Sequence, residues 1–237
     1  GARIRAMVQA QPFPKDLEQA IRDAFATLSV AAPHLSFAVR SSATAEDLPD
    51  ASFAGQQETF LNVIGIEAIL HKIREVFASL YNDRAISYRQ SFGYDHFSIG
   101  LSVCVQKMVR SDLGASGVAF SLDTESGFKN VVVINASFGL GEMIVQGSVS
   151  PDEYIVFKPT LKENFSPIIE KKLGVKDKMM VYGDDPDERV KIIPTEKSLR
   201  ERFCLTDETI LKLSKWVQQI EEYYTTKKQK WTPMDVE

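Results

Sequence analysis

Hydrophobic residues in the first part of the chain alternate between helical and strand spacing. Apolar residues recur at helical spacing in Lys15–Ser29 and again in residues 66–80. Between these segments, Phe37 and Val39 alternate with polar neighbours, and residues 59–63 have the composition of a second strand. The pattern predicts two helices, each burying one apolar side, of which the first should pack on a sheet.

The second part of the chain is richer in strands. Ile99, Leu101, Val103 and Val105 alternate strictly, and short apolar segments follow at residues 118–122, 131–136 and 154–157. Residues 205–224 predict a closing helix, with Thr206 as its N-cap. The apolar stripe expected on this helix consists of Ile210, Leu213, Val217, Ile220 and Tyr224. The pattern predicts an α+β fold of two lobes, residues 1–107 and a strand-rich lobe of residues 108–237.

Composition narrows the class of protein. The chain has 237 residues, of which 44% are hydrophobic and 25% charged, as in a globular domain or two small lobes. A formal net charge of −4 argues against a nucleic-acid partner held by bulk electrostatics. No apolar run reaches the roughly 18 to 20 residues of a membrane-spanning helix, so we expect a soluble, cytoplasmic protein without membrane contact. Cys104 and Cys204 lie in apolar patterns and are expected to be buried, reduced thiols.

A candidate phosphate-binding segment follows the first predicted strand. Arg40 comes directly after Val39 and is followed by Ser41 and Ser42. A guanidinium group offers a planar, charged fork that matches phosphate oxygens, and small hydroxyl residues add donors without crowding the anion. An ordinary connecting loop has the same composition, so the three residues alone leave both interpretations open.

Two common nucleotide-binding motifs are absent from the sequence. Gly139-Leu140-Gly141 begins like a dinucleotide fingerprint, but Ile144 occupies the place of its third glycine. No glycine-rich segment ends in Gly-Lys-Ser or Gly-Lys-Thr. Phosphate binding would therefore depend on residues dispersed along the chain.

The last residues contain a pair of carboxylates. Asp235 and Glu237 alternate in a strand-like tetrapeptide, so their side chains point to one face. Mutual repulsion there would be relieved by a hard cation with a preference for oxygen ligands, such as Mg²⁺. A solvated polar end of a chain is the alternative interpretation of the same residues.

Several separated segments carry a family resemblance. They are residues 39–63, 77–89, 105–112, 124–128, 139–142, 145–147, 149–154 and 233–237. Together they resemble the ATP-binding domain of the phosphoenolpyruvate synthase and pyruvate phosphate dikinase family over nearly the whole chain. The segment from Asp47 to Gln57 favours the synthase side of that family.

The resemblance implies an ATP-grasp nucleotide-binding domain of two lobes, incomplete at both ends of this sequence. The adenine would lie against Gln106, Lys107 and Met108, chiefly through backbone groups. Arg40 would be the catalytic, phosphate-binding residue, and Asp235 and Glu237 would hold Mg²⁺ beside ATP. Glu142, with Gln146 nearby, would contact the ribose or position the nucleotide, although a plain turn with an exposed glutamate fits these residues equally well. The implied cofactors are ATP and Mg²⁺.

The resemblance also implies partners outside this sequence. Such a domain passes the β-phosphoryl group of ATP to a histidine on a second domain, and a third domain transfers it to pyruvate, giving AMP, phosphate and phosphoenolpyruvate. His34, His71 and His96 lie in no segment like the family's phosphohistidine segment. We therefore expect the phosphohistidine and pyruvate-binding domains of the same polypeptide as partners, a possible homodimer of the full-length enzyme, and little activity from this fragment alone.

Two alternative functions remain open from the sequence. The chain resembles, less specifically, the ATP domain of a related dikinase-type enzyme with another acceptor, such as an antibiotic or a glucan. It could also be a non-catalytic interaction module, but retention of Arg40, Asp235 and Glu237 together argues against that.

Overall fold

The computed structural model describes residues 1–30, 35–43, 47–48, 51–52, 58–97, 99–161, 165–183, 185 and 188–237. These residues form two compact units, Gly1–Val109 and Arg110–Glu237. Helices and antiparallel strands occur in both, so the predicted α+β class is confirmed. The predicted lobes at residues 1–107 and 108–237 stay a prediction about the family fold.

In its described residues, the first unit combines four helices with a three-stranded sheet. Its elements are α1 (Ala2–Ala10), α2 (Lys15–Ser29), β1 (Ser36–Ala43), β2 (Asp47–Leu48), β3 (Ala51–Ser52), β4 (Thr59–Ile64), α3 (Ile66–Ser79), α4 (Asp83–Ser91) and β5 (Leu101–Lys107). β1 is the central strand, paired antiparallel with β4 on one side and β5 on the other. The strands β2 and β3 pair with each other.

One side of the three-stranded sheet is covered by α3. Phe37 and Val39 of β1 are fully buried and form a cluster with Ile69, Ile73 and Val76 of that helix. Phe25 of α2 contacts the Phe37 ring, with 5.7 Å between ring centroids. The two helices predicted in this half, and the packing of α2 on a sheet, are therefore confirmed. The ends of the α2 stripe differ from expectation, because Leu17 and Leu28 are exposed.

The second unit is built on a five-stranded antiparallel sheet. Its elements are β6 (Ala115–Phe120), β7 (Val131–Phe138), α5 (Glu142–Val145), β8 (Asp152–Phe157), β9 (Ile168–Lys172), β10 (Lys178–Tyr182), β11 (Val190–Pro194), α6 (Lys197–Arg200), α7 (Asp207–Lys228) and β12 (Asp235–Val236). Short 3₁₀ turns occur at Ser111–Leu113 and Lys158–Thr160. The large sheet has the strand order β12-β6-β7-β8-β9, and β10 pairs with β11.

Helix α7 covers one side of this sheet. Its buried residues Ile210 and Val217 pack with Ile134 of β7 and Tyr154 of β8 in one apolar cluster. The Thr206 side chain accepts a hydrogen bond from the Thr209 backbone N–H, at 3.3 Å. The closing helix and its N-cap are therefore confirmed, and capping satisfies one of the donors that a helix start leaves unpaired.

A buried carboxylate ties three parts of the second unit together. Asp152, at the start of β8, is fully buried and forms an ion pair with Lys176, which is also fully buried. Its two oxygens also accept hydrogen bonds from the backbone N–H groups of Gly174 and Cys204, each at 2.8 Å. The carboxylate therefore joins β8 to the segment after β9 and to the approach to α7.

Two further expectations have different outcomes. Both cysteines are free, as predicted, but Cys104 is exposed, so its predicted burial is wrong, and Cys204 is half-buried. Val103 and Val105, the apolar neighbours of Cys104, point to α3, and strand alternation turns Cys104 to the other side.

Among the described residues, no helix is long and apolar enough to cross a membrane.

We predict that Asp152→Ala lowers the free energy of unfolding of the second unit by about 3 to 5 kcal/mol, because it leaves the Lys176 ammonium buried without its partner. Trp216 and Trp231 are the only tryptophans and both lie in this unit, so their fluorescence in a urea titration reports its unfolding alone. Glu201→Ala, which removes an exposed pair with Lys197, is the control and should change little. Equal urea midpoints for the two variants would contradict the role given to Asp152.

Candidate functional site

Arg40 lies on the side of the three-stranded sheet that faces away from α3. Val39 is buried against α3, so alternation turns Arg40 to the opposite side, where its side chain is exposed. In the sheet it stands between Thr59 of β4 and Cys104 of β5, which are its direct pairing partners. We call the side chains of Arg40, Thr59, Cys104 and Gln106 the Arg40 face.

Gln106 belongs to this face, whereas Lys107 does not. Gln106 pairs with Ala38, two residues before Arg40, and so points to the same side of the sheet. Lys107 pairs with Phe37, whose side chain is in the core, so the Lys107 side chain points to the other side of the sheet. The structure therefore brings Arg40 and Gln106 together as diagonal neighbours, within reach of one ligand.

Two hydrogen bonds hold Met108 against β1 and β4. Its backbone N–H donates to the Ser36 carbonyl oxygen at 3.0 Å, and its Sδ accepts from the Asn62 N–H at 2.9 Å. The Met108 N–H is thus already paired, which leaves only its carbonyl group for a ligand.

Part of the predicted phosphate-binding segment lies outside the described residues. This applies to residues 44–46, 49–50 and 53–57. Of the described hydroxyl residues, Ser42 is exposed and two positions from Arg40, which places it on the same side of β1. Ser41 pairs with Val103 and points to the α3 side, so only one of the two serines can serve as a donor beside Arg40.

In the second unit, β12 carries Asp235 on the side of the five-stranded sheet that faces away from α7. Val236 pairs with Ala119 and packs with the apolar cluster under α7. Asp235 pairs with Phe120 and is exposed, and Glu237 follows the strand as a second exposed carboxylate. That the two carboxylates share one face stays a prediction.

The turn before Glu142 lies on that same side of the sheet. Ser116 of β6 donates from its hydroxyl to the Gly139 carbonyl oxygen at 2.7 Å, and Gly141 approaches the same serine. Gly139 has φ +89°, and a Cβ there would lie 2.5 Å from the Met180 carbonyl oxygen, so this position requires glycine. Glu142 begins α5, and its carboxylate accepts a hydrogen bond from Gln146 Nε2 at 2.7 Å. The predicted neighbours Glu142 and Gln146 are therefore in contact.

Within the described part of the chain, no group of three or more histidine, cysteine, aspartate or glutamate side chains is placed to hold a metal ion. Asp235 and Glu237 are exposed carboxylates separated by one residue, and such a pair suits a cation that takes its remaining ligands from water and phosphate, as Mg²⁺ does. The donor chemistry of the pair therefore fits Mg²⁺ in the presence of a nucleotide.

A cavity of about 660 Å³ lies on the other side of the same sheet, between β6 and α7. Leu213, Trp216 and Ile220 line it from the helix, and Glu237 borders it. No lysine or arginine is among its lining residues, so the cavity offers nothing to balance the charge of a triphosphate. It is therefore not a candidate for the phosphate site.

The described histidines have local partners. His71 Nε2 lies 3.2 Å from Glu75 Oε1 on α3, and His96 Nδ1 accepts a hydrogen bond from Arg89 Nε at 3.0 Å. His34 lies outside the described residues. These contacts agree with structural or surface roles for His71 and His96.

Comparison with known proteins identifies the family. The profile of the pyruvate phosphate dikinase AMP/ATP-binding domain matches residues 1–237. The chain belongs to this family. Among its relatives, the phosphoenolpyruvate synthase of Aquifex aeolicus (strain VF5) is 59% identical over 239 residues, and the match covers 100% of this chain and 28% of that protein.

Two further relatives of this AMP/ATP-binding domain have the same name and similar coverage. The phosphoenolpyruvate synthase of Escherichia coli (strain K12) is 54% identical over 239 residues, which are 100% of this chain and 29% of that protein. That of Synechocystis sp. (strain ATCC 27184 / PCC 6803 / Kazusa) is 51% identical over 243 residues and is matched over 30% of its length. The chain thus spans less than a third of the length of these relatives.

The pairing of Thr59 and Cys104 with Arg40 is the part of the site in this AMP/ATP-binding domain that the sequence did not reveal. Thr59 follows Arg40 by 19 positions in the sequence, and Cys104 follows it by 64. Alternation within a strand does not tell which strand lies beside it or in which register, so the neighbours of Arg40 could not be predicted.

We predict that a thiol reagent at pH 8 modifies Cys104 and spares Cys204 in the folded domain. Cys104 is exposed, whereas burial raises the pKa of the Cys204 thiol to about 12, so Cys204 stays protonated and unreactive. Counting modified thiols by mass spectrometry, before and after unfolding in urea, measures this difference. Rapid modification of Cys204 in a Cys104→Ser variant that remains folded would contradict it.

Proposed function

We propose that this chain is the ATP-binding, phosphoryl-donating domain of a phosphoenolpyruvate synthase. The observation that carries the proposal is the family match through residues 1–237 together with relatives of that name at 51% to 59% identity. In such an enzyme, ATP, pyruvate and water give AMP, phosphoenolpyruvate and phosphate through a phosphohistidine on another domain. The relatives' names favour this function over a dikinase with a different acceptor.

The Arg40 face supports a phosphate-binding role for Arg40. Its guanidinium group is exposed beside the Thr59 side chain and on the same side as Ser42. A charged planar donor with nearby hydroxyl groups suits phosphate oxygens, which accept several hydrogen bonds at once. In the proposed enzyme, Arg40 would contact the phosphates of ATP and stabilise the charge that develops during transfer.

The ATP-grasp fold is part of this proposal, with its lobes at residues 1–107 and 108–237. The adenine would lie against Gln106, Lys107 and Met108. Because the Met108 N–H already donates to Ser36, this segment would contact the adenine amino group through carbonyl oxygens. Glu142 and Gln146 would contact the ribose or position the nucleotide.

Mg²⁺ would be held by Asp235 and Glu237. When bound, the cation would neutralise part of the charge on the phosphate oxygens of ATP. Without it, two carboxylates would repel the nucleotide, so their own contribution is to make binding depend on a divalent cation. The phosphohistidine and pyruvate-binding domains would be supplied by the rest of the polypeptide, and the cytoplasmic location and the homodimer stay predictions.

We predict that Arg40→Ala weakens ATP binding by roughly 10- to 100-fold, because a hydrogen bond to a charged group is worth about 1.5 to 3 kcal/mol. Titration calorimetry measures the change. Arg3→Ala is the control, since it removes another exposed arginine, from α1 of the same unit. As a second measurement, ATP should slow the modification of Cys104 beside Arg40. Unchanged ATP affinity in a folded Arg40→Ala domain would rule out the phosphate-binding role.

We predict that Mg²⁺ increases the affinity for ATP and that Glu237→Gln removes most of this increase, because the variant loses one of the two charged oxygen ligands. Calorimetric titrations with and without Mg²⁺ give the increase for each variant. Glu125→Gln, at an exposed turn position of the same unit, is the matched control. If the two variants respond equally to Mg²⁺, Glu237 is not a metal ligand.

A further inference from the structure

A buried cluster in the second unit connects the core to the strand that carries Asp235. The Lys158 ammonium group lies 2.6 Å from Glu221 Oε2, and the side chains of both residues are 9% exposed. Lys158 also donates to the backbone carbonyl oxygen of Ser121, the residue directly after β6. One ammonium group thus links the turn after β8, the helix α7 and the strand β6.

The second oxygen of Glu221 holds the chain segment that leads to β12. The indole Nε1–H of Trp231 donates to Glu221 Oε1 at 2.9 Å. Close by, the Thr232 N–H donates to Thr225 Oγ1 at 3.0 Å. After α7 ends at Lys228, the returning segment is therefore fastened to the helix at two successive residues.

Ser121 fixes the residue directly before Asp235. Its hydroxyl accepts a hydrogen bond from the Met234 N–H at 2.7 Å, and its own N–H donates to the Met234 carbonyl oxygen at 2.9 Å. Ser121 is fully buried, and its carbonyl oxygen is the one that Lys158 contacts. Ser121 thus links the backbone before Asp235 to Lys158, and through Lys158 to Glu221.

We infer that Lys158, Glu221 and Trp231 are positioning residues that set the place of the Asp235 and Glu237 carboxylates and thereby their affinity for a divalent cation. β12 has only two residues, both paired with β6, which is too short a pairing to fix a strand by itself. The buried charges and the indole supply the missing constraint. Groups that hydrogen-bond a metal ligand directly typically change metal affinity by about 10- to 100-fold. Since the cluster acts through the Met234 backbone, we expect the lower end of that range. The inference rests on the proposed metal role of the two carboxylates.

The test compares Trp231→Phe with Trp216→Phe by calorimetry. Trp231→Phe keeps an aromatic ring and loses the N–H that Glu221 accepts, whereas Trp216 lies on α7 in the same unit, outside the cluster. We expect Trp231→Phe to reduce the Mg²⁺-dependent increase in ATP affinity about tenfold and to leave metal-free ATP binding unchanged. Trp216→Phe should leave both unchanged. Circular dichroism in urea verifies that each variant remains folded.

A second measurement separates positioning from stability. Hydrogen exchange of the Met234 and Val236 amides should become faster in Trp231→Phe, while the amides of β7 keep their protection. Glu221→Gln, which retains an oxygen acceptor for Trp231 but loses the charge beside Lys158, should preserve part of the Mg²⁺ response if the fold is kept.

The outcomes are distinct. If wild-type chain responds to Mg²⁺ and both tryptophan variants respond equally, the positioning role is wrong while the proposed function stands. If wild-type chain binds ATP without any response to Mg²⁺, the metal role of the carboxylates fails, and the inference that rests on it fails as well.

Discussion

The second unit depends on the buried Asp152 carboxylate. The apolar side of the five-stranded sheet needs α7 to cover it, and the approach to α7 is held by the Cys204 N–H bonded to Asp152. The same carboxylate pairs with Lys176 and accepts the Gly174 N–H. Burial of an ion pair costs desolvation energy, which here is offset by several hydrogen bonds to one group. The contacts of Asp152 thus fix where α7 begins relative to the strands. Apolar packing alone would define this position less precisely.

The far end of α7 has a comparable arrangement. Lys158 and Glu221 form a second buried pair, joined to β6 through the Ser121 carbonyl oxygen. Between the two pairs, Ile210 and Val217 supply non-directional apolar contact with the sheet. Directional contacts at both ends and apolar contacts between them define the position of the helix along its own axis. The directional contacts at the two ends of α7 explain why Lys158 and Lys176 are buried, whereas the other described lysines of this unit are mostly exposed.

Local patterns predicted the helices α2, α3 and α7 and the central strands of both sheets, because each has a clear period and a one-sided core contact. The buried roles of Lys158 and Lys176 could not be predicted in this way, since lysine at a single position is normally solvated. The pattern did not predict β10 and β11, because their residues are mostly half-buried and, in the described part of the chain, they pair with each other and with no larger sheet. For the candidate site, alternation separated Arg40 from the core, but its neighbours Thr59 and Cys104 follow from non-local pairing.

In each unit, a candidate site residue and a core residue are neighbours on the same strand. Val39 is in the core and Arg40 is exposed, and in the same way Val236 packs under α7 and Asp235 points outward. Since the side chains of a strand alternate, the register that buries the valine also determines where the charged group stands. A shift of one residue would bury the charge and expose the valine, which hydrophobic burial opposes. In each unit, then, the packing energy of the core also fixes the site, and changing the charged residue alone leaves that energy largely intact.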